Sequence, residues 1–121
     1  LKYYYIYEYT GIIKNTNLCK ILDLKEEKAL VIRGKNKYLS GIIVYKGKGS
    51  IHIWRNDCPH ANLSLDLIEG KVQSKNNDLL CANHGAKFNP ETGECFKGPC
   101  KNSFLKIFPF KIVNDYLIAG N

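Results

Sequence analysis

Short apolar runs broken by turn residues dominate this chain. Residues 3–9 are aromatic and β-branched, which predicts an edge strand. Residues 29–33 form a second apolar run that stops at Gly34. Residues 42–46 and 51–55 flank Gly47-Lys48-Gly49-Ser50, the pattern of a hairpin turn. Residues 78–82 predict a short strand entering a turn. Residues 104–108 and 112–118 close the chain, with Asn114-Asp115 as a further turn. Only residues 23–30 predict a helix, with Asp23 as its cap. In residues 51–55 the apolar positions alternate. His52 therefore points away from the core as a solvated strand histidine, and Trp54 shares its face, covering a second sheet or a subdomain junction. Strands this short and regular predict an all-β fold, an antiparallel β-sandwich or small barrel. A βαβ fold needs longer helical segments than these.

The middle of the chain breaks this rhythm. Residues 57–100 hold four of the five cysteines, two of the three histidines and three of the four prolines. Function tends to sit in loop-rich segments carried on a rigid framework. The expectation is a single domain over residues 1–121, with a small loop-rich subdomain at about residues 57–100 inserted in a β framework. At 121 residues the chain has one domain's length. Apolar residues make up 45% and charged residues 24%, as in globular proteins. No apolar run approaches the roughly 20 residues of a membrane span, and no leader pattern is visible, so a cytoplasmic location is expected. The net charge is +7, from 18 basic and 11 acidic residues. The basic residues are mostly scattered lysines, with arginine only at positions 33 and 55, which argues against nucleic-acid binding and for a solvated surface.

An odd cysteine count without a secretory signal argues against a disulfide framework. Cysteine and histidine instead pair in two motifs, Cys58-Pro59-His60 and Cys81-Ala82-Asn83-His84. Each places one thiolate and one imidazole on one tight loop, and two such loops facing each other form a four-ligand site. A zinc finger groups its cysteines in one arm and its histidines in the other. Here each arm carries one of each, cysteine first. That order suits a two-iron cluster, with both thiolates on one iron and both imidazoles on the other. A single tetrahedral zinc accepts the same four ligands and remains an alternative. Cys19 reads as structural. Cys95 and Cys100 read as a reduced pair, a local disulfide, or neighbours of the metal centre.

Cys58-Pro59-His60 and the run from Cys81 through His84, Gly85, Ala86 and Phe88 to Asn89 resemble the two cluster-binding loops of the Rieske family. Pro90-Glu91-Thr92-Gly93 and then Gly98-Pro99 resemble the turn and the proline loop that follow in that family. The resemblance implies one [2Fe–2S] cluster per chain and one-electron transfer. It implies that Cys58 and Cys81 bind the buried iron and that His60 and His84 bind the outer iron near the surface. Rieske proteins of the cytochrome bc type carry a disulfide between the two loops. The matching positions here are Leu63 and Asn83, which cannot form it. Those proteins also have hydroxyl donors where this chain has Ala86 and Phe88. Fewer donors to sulfur lower the potential, so the lower half of the family range of about −150 to +300 mV is expected.

The resemblance is to the soluble Rieske ferredoxins. It implies an electron carrier between a reductase and an oxygenase or other redox enzyme, not itself an enzyme. The alternatives are a cluster-bearing accessory subunit of a larger oxidoreductase, of oxygenase or nitrite-reductase type, and a zinc-binding interaction module. A catalytic mononuclear iron needs two further histidines, and only His52 remains. The basic charge predicts partners with an acidic docking face. Leu63, Leu65 and Pro99 are expected to form an exposed apolar patch beside the cluster.

Overall fold

The computed structural model describes residues 9–59 and 63–120. Nine strands are found among them: β1 (Asn17–Lys20), β2 (Ala29–Ile32), β3 (Ile42–Lys46), β4 (Ile51–Arg55), β5 (Leu79–Cys81), β6 (Ala86–Phe88), β7 (Cys95–Lys97), β8 (Phe110–Val113) and β9 (Tyr116–Ala119). They form three antiparallel three-stranded sheets, ordered β1-β9-β8, β2-β3-β4 and β5-β6-β7.

β3 organises the interior. Its first four residues are all buried, because both faces of this central strand are covered. Ile42 and Val44 enter one apolar cluster with Ile12, Leu24, Ile53, Phe108, Leu117 and Ala119. Ile43 points the other way, into a second cluster that contains Trp54, Leu65, Leu79, Phe88 and Leu105. The antiparallel register places Ile43 opposite Trp54, so the β3–β4 pair is the wall between the two cores. The second core is the one that the segment carrying both motifs packs against.

The predicted turns form. Gly47 N–H donates to the Ser50 carbonyl at 2.8 Å and closes the β3–β4 hairpin. Asn114 and Asp115 both adopt positive φ, 50° and 66°, the geometry that joins β8 to β9 with the right twist. The helix expected over residues 23–30 does not form. A three-residue 3-10 turn (Ile21–Asp23) stands there instead, and β2 begins at Ala29. Eight residues hardly repay helix nucleation, whereas Glu27, at φ 62°, donates its N–H to the Lys46 carbonyl and starts a ladder with β3. Residues 104–108 run extended beside β4 but make only isolated bridges, at Trp54–Ile107 and Glu94–Phe104, before Pro109. The edge strand expected over residues 3–9 lies outside the described residues except for Tyr9, which belongs to no strand.

Candidate metal centre

Sheet β5-β6-β7 lies wholly within the cysteine-rich middle segment. Cys81 ends β5, and a tight turn leads to β6, closed by Gly85 N–H on the Cys81 carbonyl at 2.9 Å. Gly85 takes φ 73°, a conformation that a side chain would strain. His84 stands on this turn and is exposed, while Cys81 is fully buried. Cys58 follows β4 in the other loop and is also fully buried, with its N–H on the Leu63 carbonyl at 2.8 Å. His60 lies outside the described residues. Cys58 and Cys81 share one apolar cluster with Cys95, Cys100, Leu65, Leu79, Ala86 and Phe88. Among the described residues no three Cys, His, Asp or Glu side chains converge as a metal-binding group. The structure thus brings the two thiols into one core and leaves His84 at its rim.

Hydrogen bonds tie the two loops together. Asn83 Nδ2 donates to the Ser64 carbonyl at 3.1 Å and reaches Cys81 Sγ at 3.8 Å. Ala82 N–H donates to the Leu65 carbonyl at 2.9 Å. Asn83 is one of the two positions where a disulfide would stand in the bc-type pattern, so its amide links the loops by other means. Leu63 is exposed, as expected, and so is Pro99, but Leu65 is not. Leu65 is fully buried because its N–H is drawn in to Asn56 Oδ1 at 2.8 Å, which turns the side chain into the core. The expected apolar patch loses that member.

The first loop rests on polar residues that no motif announced. Asn56, fully buried, donates through Nδ2 to Asp66 Oδ1 at 2.9 Å and to the Ser40 carbonyl at 3.1 Å. Arg33 forms a bidentate pair with Asp66, both contacts 3.0 Å, and Gly70 N–H donates to Asp66 Oδ2 at 3.0 Å. Burial pushes the Asp66 carboxyl up, but the hydrogen bonds from Arg33, Asn56 and Gly70 outweigh it and hold the group below the usual carboxylate range. Arg33 is correspondingly pushed up, by its hydrogen bond to Asp66. The other arginine, Arg55, pairs with Asp57 at 3.0 Å and lies over the Tyr9 ring. Both arginines therefore serve the loop that carries Cys58. The usable sequence signal was their rarity in a chain otherwise basic through lysine.

The second loop is anchored by Trp54, as its alternation suggested. Trp54 Nε1 donates to the Pro90 carbonyl at 2.9 Å, and a Cβ on Gly93 would come within 2.8 Å of the indole. The His52 ring lies parallel to Trp54 with centroids 6.1 Å apart and bonds Ser50 Oγ at 2.8 Å. It takes a strand role. Ala86 and Phe88, which stand where the bc-type pattern has hydroxyl donors, are fully buried and apolar. Cys95 and Cys100 face each other with sulfurs 3.0 Å apart. Burial first, then the hydrogen bond and charge of Cys95, push the Cys100 thiol up to about 12, with a smaller contribution from Cys58.

Two loops with a paired Cys and His signature, carried on an antiparallel β framework over a buried thiol core, define a class of iron–sulfur domain. The sequence profile of the Rieske [2Fe–2S] domain matches residues 14–111, and the chain belongs to that family. Its cofactor is accordingly a [2Fe–2S] cluster. The described donors are of the kind such a group uses: two buried thiols share one core, and an exposed imidazole stands at its rim. The fold is similar to the Sphingomonas yanoikuyae B1 ferredoxin, at 20% identity over 89% of this chain and 99% of that one, TM-score 0.66. It is also similar to the ferredoxin of carbazole 1,9a-dioxygenase from Nocardioides aromaticivorans IC177, at 18% identity over 90% and 100% of the two chains, TM-score 0.63. A third likeness is to a chain in a complex of reduced oxygenase and oxidized ferredoxin in carbazole 1,9a-dioxygenase, at 22% identity over 88% and 93%, TM-score 0.61. Comparison with curated protein sequences gives no match. No helix among the described residues is long and apolar enough to cross a membrane.

Proposed function

We propose that this chain is a one-electron carrier, passing electrons from a reductase to an oxygenase or another redox enzyme, and not itself a catalyst. Cys58 and Cys81 would hold one iron of the cluster through thiolates, and His60 and His84 would hold the other through imidazoles. Bound there, the cluster supplies reversible one-electron storage. The observation that carries the reading is the asymmetry of the site: both cysteines are fully buried while His84 is exposed. Burial of the thiols excludes water from the sulfur side. The exposed imidazole leaves an approach for a partner within electron-transfer reach. The bridges from Asn83 to Ser64 and from Ala82 to Leu65 tie the loop of Cys81 and His84 to the chain that follows the first motif, which limits rearrangement of that loop on a change of charge.

Residues 57–100 form the cluster-binding subdomain of this single domain. The carrier reading is favoured over an oxygenase component by the likeness to ferredoxins along nearly their whole length. It is also favoured by His52, whose ring is engaged by Ser50 and Trp54. The partner presents an acidic face to a basic chain of net charge +7. Five free cysteines suit a reducing compartment and support the reading of a cytoplasmic carrier.

The test is an anaerobic redox titration followed by mixing with a flavin-dependent reductase. One electron taken up reversibly per chain, and returned to an acceptor, is the expected result. A protein that cannot be reduced and reoxidised overturns the carrier reading.

A further inference from the structure

Cys95 and Cys100 take no part in the function proposed above, yet their thiols face each other directly. Their sulfurs lie 3.0 Å apart, closer than two non-bonded sulfurs ordinarily pack. A disulfide bond of about 2.05 Å is roughly 1 Å of movement away. The Cys100 thiol donates to the Cys95 sulfur, and the Cys95 thiol donates to the Lys97 carbonyl at 3.2 Å. The backbone holds both residues in place. Cys95 N–H bonds the Ser103 carbonyl at 2.8 Å, Asn102 N–H bonds the Cys95 carbonyl at 3.0 Å, and Ser103 N–H bonds the Cys100 carbonyl at 2.8 Å. Cys95 and Cys100 are 1% and 5% exposed, but Lys97, Gly98 and Pro99 before Cys100 and Lys101 and Asn102 after it are all exposed. Local opening of this turn is enough to bring the Cys100 sulfur to solvent.

We propose that Cys95 and Cys100 form a thiol–disulfide exchange site, closed by small-molecule disulfides of the glutathione class and reopened by thiols. In the opened turn the burial that pushes the Cys100 thiol up is lost; the sulfur gives its proton to water and attacks one sulfur of the oxidant as the thiolate. The oxidant's S–S bond breaks, one thiol leaves, and a mixed disulfide remains on Cys100. The Cys95 sulfur then attacks the Cys100 sulfur and displaces the second thiol. Two electrons pass from the pair to the oxidant, and the two thiol protons end on the two released thiols. The closed bond straps β7 to the turn that packs on β6, where a Cβ on Gly98 would meet Ala86 Cα at 2.8 Å. The exchange is a two-electron step and stands apart from one-electron carriage.

The cluster-loaded full chain is incubated anaerobically with oxidised glutathione, then denatured, alkylated and mapped by peptide mass spectrometry. The expected result is joint loss of alkylation at Cys95 and Cys100, a bridge joining them, and recovery with dithiothreitol. Cys95→Ser and Cys100→Ser should each abolish the bridge; Cys95→Ala serves if the serine variant fails to fold. Full alkylation of both residues after treatment overturns the site, as does a stable glutathione adduct on Cys100 beside a free Cys95. A bridge mapped to Cys58 and Cys81 overturns both this site and the ligand assignment, so the two failures are distinguishable.

Discussion

At the scale of single residues, Asn83 does work that the cysteine and histidine motifs do not reveal. Its amide reaches both the Ser64 carbonyl and Cys81 Sγ, joining loop to loop and donor to sulfur. A hydrogen bond to sulfur favours the reduced state. Asn83→Leu should lower the midpoint potential by about 40 mV, the one-electron equivalent of roughly 1 kcal/mol of hydrogen bond. Protein-film voltammetry reads this directly, and an unmoved potential would remove Asn83 from the account. Phe88→Tyr works in the opposite direction. It adds a hydroxyl at a fully buried site and should raise the potential where that hydroxyl reaches a sulfur. A drop in melting temperature with no rise in potential would mean that the hydroxyl meets no sulfur. The paired cysteines and histidines stand out in the sequence as candidate ligands because metal chemistry admits few residue types at such spacing. Asn83 and Leu65 were not, since an asparagine or leucine in a loop is compatible with many environments until its hydrogen bonds are seen.

At the scale of elements, the strands were legible and their supports were not. The unbroken apolar stretch in β3 and the alternation in β4 reflect burial on two faces and on one, and periodicity carries that information. The failed helix over residues 23–30 marks the limit, because pairing with β3 decided its conformation and pairing is not written locally. Nor did any local pattern foretell that Asp66 would join the residue after β2, Arg33, to Asn56 in the first loop. Breaking one partner of a buried ion pair typically costs about 3 kcal/mol. Asp66→Ala should therefore destabilise the fold by about that amount at pH 7 and loosen the Cys58 loop. The pH dependence has a definite sign. A carboxyl held lower in the folded than in the unfolded state stabilises the fold above its unfolded pKa of about 3.9. That stabilisation is lost as pH falls through the lower folded value. Chemical denaturation of wild type and variant should converge as pH drops below about 4; a gap that stays constant down to pH 2 would assign the cost to packing instead. Gly98→Ala belongs to the same scale. Gly98 sits at φ 99° with no room for a Cβ beside Ala86, so the variant should lose about 2 kcal/mol or more.

Across the whole molecule, two cores meet at the β3–β4 wall, one binding the framework together and one enclosing the four buried thiols. The net charge of +7 governs encounter more than fold. Electron transfer with an acidic partner should slow as ionic strength rises from about 0.01 to 0.15 M, over which the screening length falls from about 30 to 8 Å. Stopped-flow rates independent of salt would remove charge steering from the account. The central claim concerns ligation, and the electron paramagnetic resonance spectrum of the reduced protein, purified without air and assayed for iron and sulfide, tests it most directly. Two irons, two sulfides and a signal of low average g are predicted, because two imidazoles on one iron set that signature. Cys58→Ser and Cys81→Ser should abolish it. A colourless protein carrying one zinc, or a reduced signal of the four-thiolate ferredoxin type, would contradict ligation by Cys58, His60, Cys81 and His84.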